Sequence, residues 1–199
     1  MTRSVLPILL FVALAGAPGL AFAHPHPHPG SGGFGAGFAH PLLGLDHLLA
    51  MLGVGIWAAQ QTYRRGFWLI PVAFLAAMLA GFGIGMGSAP LPLIEFGIVG
   101  SLAVVGLLVY FSRQLPLMAA TAAAGVFAMF HGHAHGAEMA VDLSGVAFAL
   151  GFLLASAILL CTGVAVWRRA ERVLLQRPVA RTTGAALVLA SAVFLVLLV

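Results

Sequence analysis

The chain has 199 residues, 62% hydrophobic and 7% charged, with a mean hydropathy of +1.10, so no water-soluble surface can be built from it and lipid must be its solvent. Its net charge of +4 comes from arginine alone; no basic run is interleaved with aromatics, which argues against a nucleic-acid partner and for a charge distribution set by membrane topology. The single cysteine, Cys161, lies in an apolar stretch, which excludes a disulfide framework and reads as a small core residue.

The first element is an expected secretory signal over residues 1–23. Arg3 supplies the positive region, Val5 to Leu20 the apolar region, and Ala21-Phe22-Ala23 the small-x-small cleavage site. Residues 24–39 then form a periplasmic His/Pro/Gly segment. In His24-Pro25-His26-Pro27-His28, Pro25 removes the amide nitrogen that a tight amino-terminal chelate would use. The free amine with His24, His26 and His28 is left to hold a metal loosely near the membrane.

Residues 40–199 are expected to form an all-α polytopic bundle. About twenty apolar residues cross about 30 Å of hydrocarbon. Six such spans are expected, near Pro41 to Gln61, Phe67 to Gly87, Leu91 to Ser112, Leu115 to His131, Leu143 to Trp167 and Thr182 to Val199. Arg64 and Arg65 follow the first span, Arg113 the third, and Arg168, Arg169, Arg172, Arg177 and Arg181 the fifth. By the positive-inside rule these three connections are cytoplasmic and the N-terminus periplasmic. Glycines such as Gly81, Gly85, Gly132 and Gly136 provide small-xxx-small spacings at which helices approach closely.

In so apolar a chain, each ionisable residue within a span is a candidate for function, because burying it costs at least about 2.5 kcal/mol at the bilayer centre. His40, Asp46 and His47 belong to the first span; His131, His133, His135 and Glu138 stand at the outer end of the fourth; Glu95 is one turn inside the third. In a continuous helix His40 and His47 share a face, as do His131, His135 and Glu138, whereas His133 points elsewhere and reads as a spectator. Pro41 and Gly44 stand where they can distort that first turn. Asp142, just before the fifth span, reads as a helix cap.

Two imidazoles and a carboxylate from each of two helices make a mixed N/O ligand set suited to Ni, Co or Zn and unsuited to Cu(I). Met51 and Met129 are possible auxiliaries, though methionine more often simply fills the core. A membrane zinc hydrolase is the enzymatic alternative, but the H-E-x-x-H arrangement is absent from His131 to His135. A haem-bearing bundle is a further alternative, disfavoured by the carboxylates accompanying the histidines.

The two clusters are long motifs, HPLLGLDHLLAMLGVGIW from His40 to Trp57 and FHGHAHGAE from Phe130 to Glu138. The chain resembles the HupE/UreJ nickel and cobalt permeases, whose patterns HPxxGxDHxxxM and FHGxAHGxE these match. The resemblance implies that His40, Asp46, His47, His131, His135 and Glu138 are needed for transport, with His133 at a variable position. It further implies uptake of Ni2+ or Co2+ through a bacterial inner membrane as cargo, with no permanent cofactor, no enzymatic activity, and a link to hydrogenase or urease maturation.

Overall fold

A computed structural model describes residues 33–63, 66–86, 93–139 and 141–199. The expected signal, the His24–His28 tract and Arg64–Arg65 lie outside the described residues. In chain order the helices are α1 (Phe34–Leu43), α2 (Leu45–Gln60), α3 (Leu69–Gly85), entered through a 3-10 turn at Gly66–Trp68, α4 (Ile94–Tyr110), α5 (Leu117–Ala137), α6 (Leu143–Arg172) and α7 (Gln176–Leu198). Among the described residues there is no strand. Helices alone are what a lipid solvent demands, since every backbone N–H and C=O must find its partner within the segment.

Four helical segments are long and apolar enough to cross a membrane: Gly66–Gly85, Leu117–Ala137, Ser144–Arg172 and Gln176–Leu198. Counting α1 and α2 together gives five, and α4 is a shorter apolar helix of 17 residues. The distortion expected from Pro41 and Gly44 at the start of the first span is a full break: α1 and α2 meet at 78° around Gly44. Gly44 is extended (φ −78°, ψ 112°), yet the break wastes no backbone hydrogen bond at that residue. Its N–H donates to His40 O to close α1, and its carbonyl accepts from Leu48 N to open α2. A Cβ on Gly44 would meet Asp46 Oδ1 at 3.2 Å and His40 O at 3.3 Å, so a side chain at the bend would require these neighbours to give by a few tenths of an ångström.

Helices pair through small residues. A Cβ on Gly132 or Gly136 of α5 would run into the carbonyls of Met78 and Phe82 on α3, so those backbones lie in direct contact. Helix α6 packs along both α1 and α2, and α4 pairs with α7. At the far end of α2 two glutamines form a clasp. Gln61 Nε2 donates to Arg113 O (3.0 Å) while Gln61 Oε1 accepts from Leu115 N (3.2 Å); Gln114 Nε2 donates to Gln60 O (2.9 Å) while Gln114 Oε1 accepts from Thr62 N (3.0 Å). The clasp ties the end of α2 to the start of α5, and the opposite ends of the same two helices carry the histidines.

Candidate metal centre

His47 lies in the first turn of α2, His131 and His135 in the last turns of α5, and His40 near the end of α1. The bend at Gly44 folds His40 back over His47, with ring centroids 5.4 Å apart. The α3/α5 glycine contact carries α5 deep enough to face both. His47, His131 and His135 are at most 1% exposed, and His40 is half-buried.

The ring nitrogens converge. His47 Nε2 is 2.6 Å from His135 Nε2 and 3.4 Å from His131 Nδ1, and the His40, His47 and His135 rings each offer one nitrogen within a 4.8 Å group. Two imidazole nitrogens on one small divalent ion at about 2.1 Å each lie about 3 Å apart, a separation inside the range spanned here. Three of the six residues expected to act as ligands are thus brought into one donor group, with His131 at its edge.

The carboxylates take a different place from the one expected. Asp46 Oδ1 lies 3.0 Å from His47 Nδ1, the ring nitrogen other than the Nε2 that faces His135. Glu138, the C-cap residue of α5, has Oε2 3.7 Å from His135 Nδ1. Each carboxylate therefore stands behind a histidine rather than within the donor group. A carboxylate there favours the Nδ1–H tautomer and leaves Nε2 as the lone-pair donor. At 2.6 Å, His47 Nε2 and His135 Nε2 share one proton between them or give up that proton to a cation.

Other expected participants stand apart. His133 is buried on α5 but is not in the three-histidine group, and Glu95, half-buried in the first turn of α4, is likewise outside it. Asp142 caps α6, accepting from Ser144 N (2.9 Å), Gly145 N (3.0 Å) and Ser144 Oγ (2.6 Å). These bonds, the hydroxyl first, hold its carboxyl below the usual carboxylate range. Met51 is fully buried one turn beyond His47, and Met129 is half-buried.

Some site residues escape a reading of ionisable side chains. Phe148 and Phe152 on α6 wall the cluster, with Phe152 at 5.2 Å from the His135 ring and 5.8 Å from the His47 ring, and Phe148 at 5.8 Å from the His40 ring. They exclude water and fix ring orientation. Nothing in an apolar helix marks two of its phenylalanines for this task. Ser101 on α4 is also in reach, 3.4 Å from His131 Nε2, and its signal was a hydroxyl in the apolar middle of that helix.

The family model described as HupE / UreJ protein matches residues 12–194. Protein HupE of Rhizobium leguminosarum bv. viciae is similar at 36% identity over 189 residues, covering 93% of this chain and 95% of that protein. No solved structure matches the chain.

Proposed function

We propose, from the premise that this chain belongs to the HupE/UreJ family, that it is a permease carrying Ni2+, or Co2+, through the bacterial inner membrane to the cytoplasm. The observation that carries this reading is the buried convergence of His47 Nε2 with His135 Nε2 and His131 Nδ1, from two helices far apart in sequence. Borderline nitrogen donors suit nickel, cobalt and zinc; the donor type does not by itself choose among them, so nickel follows from the family.

In this reading α1 with α2 forms one bent span, and α3 to α7 complete six. Helix α4, at 17 residues and about 1.5 Å per residue, reaches across most of the hydrocarbon core. Arg113 and the group from Arg168 to Arg181 lie at the ends of α4 to α7 remote from the histidines. The positive-inside rule then puts the histidine end at the periplasm and the glutamine clasp at the cytoplasm.

The steps follow from the side chains. His24, His26 and His28 raise the local metal concentration. The ion sheds water as it exchanges onto His40, His47 and His135, with Asp46 standing behind His47 and Glu138 behind His135. His131, deeper along α5, takes it on the inward side, and rearrangement of the bundle releases it. The cargo serves hydrogenase or urease maturation, and no bond in a substrate is made or broken.

Uptake of radioactive nickel by cells lacking other nickel importers tests this function. Native protein is expected to restore accumulation, and His47→Ala and His131→Ala to return it to background. Full accumulation in both variants would overturn the assignment.

A further inference from the structure

The two carboxylates account for the far nitrogens of His47 and His135, but neither reaches His131, whose orientation must be fixed by something else. Its two nitrogens face different partners: Nδ1 lies 3.4 Å from His47 Nε2, and Nε2 lies 3.4 Å from Ser101 Oγ. A serine hydroxyl has one proton to donate and two lone pairs with which to accept. The proton of Ser101 is committed, because Oγ donates to Ile98 O at 2.7 Å, much the shorter of its two contacts. Toward His131 the hydroxyl can therefore only accept.

We infer that Ser101 is a positioning residue of the centre: it accepts Nε2–H of His131 and so makes Nδ1 the atom through which His131 holds the ion. This rests on the reading of His131 as a ligand and adds a fifth helix, α4, to a site otherwise built on α1, α2, α5 and α6. It also separates His131 chemically from the other rings. His47 and His135 present Nε2 and are backed by carboxylates, whereas His131 presents Nδ1 and is backed by a neutral hydroxyl. A ring so backed is less basic and a weaker ligand, which fits the position on the inward side from which the ion departs.

The full chain in lipid nanodiscs, labelled with nitrogen-15 histidine, provides the test. In metal-free protein the His131 resonances, assigned by their loss in His131→Gln, are expected to show a protonated Nε2 and a bare Nδ1. Ser101→Ala, which needs no extra room, is expected to abolish that bias and weaken Ni2+ binding about 10-fold to 100-fold, the usual effect of losing an outer-shell partner. Ser101→Thr, which keeps the hydroxyl, restores both. A native His131 protonated on Nδ1, or a Ser101→Ala protein with unchanged tautomer and unchanged Ni2+ affinity, would overturn the inference. The tautomer is read without metal, so failure of nickel uptake with the tautomer result intact would refute the cargo and leave the placement of Ser101 supported.

Discussion

His47 and His135, 88 residues apart in the chain, bring their Nε2 atoms to 2.6 Å within a site that is almost wholly closed to solvent. Two lone pairs so placed repel unless a proton or a metal ion lies between them. The glycine contact between α3 and α5 sets how deep α5 sits, and the bend at Gly44 adds His40 to the pair.

Asp46 acts on the metal through His47, so its neutral replacement should weaken binding without abolishing it. Asp46→Asn is expected to lower Ni2+ affinity about 10-fold to 100-fold, and His47→Ala to lower it further. Isothermal titration of the purified variants decides the order. Equal losses in the two would make Asp46 a direct ligand.

Gly132 has a Met78 carbonyl where its Cβ would go, while a Cβ on Gly83 would meet nothing within 4 Å. Gly132→Ala should therefore force α5 off α3, destabilising the protein by at least about 1 to 3 kcal/mol, as overpacking does, and dragging His131 and His135 from His47. Gly83→Ala should behave as native. Thermal unfolding in detergent reads the stability of both, and equal midpoints would contradict the contact.

The same comparison of residues tells how far the sequence alone could lead. His40, His47, His131 and His135 were legible because an imidazole is conspicuous in a lipid-solvated chain and because helical spacing placed them on common faces. The role of Asp46 was not. Adjacent helical residues point about 100° apart, so spacing alone does not tell whether the carboxylate sits beside the ion or behind its neighbour's ring. The bend itself was half legible: Pro41 and Gly44 marked the place, but its angle of 78° depends on packing against α6. Phe148 and Phe152 were silent because their partners are far away in the chain. The start of α6 at Leu143 was legible, whereas its end was not, because the helix runs on past Trp167 through Arg172 with its charged turn beyond the apolar layer.

Protons and metal ions compete for the same imidazole nitrogens. Ni2+ affinity is accordingly expected to fall from about pH 7.5 to about pH 5.5, and more steeply as more imidazoles must lose a proton to bind. Equilibrium dialysis at fixed ionic strength measures the slope. Tighter binding at the lower pH would exclude histidine as the principal ligand.

Asp142 stabilises the start of α6, and with it Phe148 and Phe152, through the hydrogen bonds its ionised carboxylate accepts. Because its pKa is lowered on folding from about 3.8, that contribution is complete above the ordinary carboxylate value and disappears as pH falls through the depressed one. The difference in unfolding midpoint between native protein and Asp142→Ala should be widest near neutral pH and close in acid. A difference that stays constant down to strongly acidic pH would show that the charge is irrelevant to the cap.

X-ray absorption at the nickel edge, on purified protein loaded with one equivalent of Ni2+, tests most directly whether α2 and α5 hold the ion jointly. The scattering pattern of several imidazoles is expected in native protein, with one fewer in His47→Ala and one fewer in His135→Ala. A shell of oxygen alone, or a spectrum unchanged by both substitutions, would contradict it.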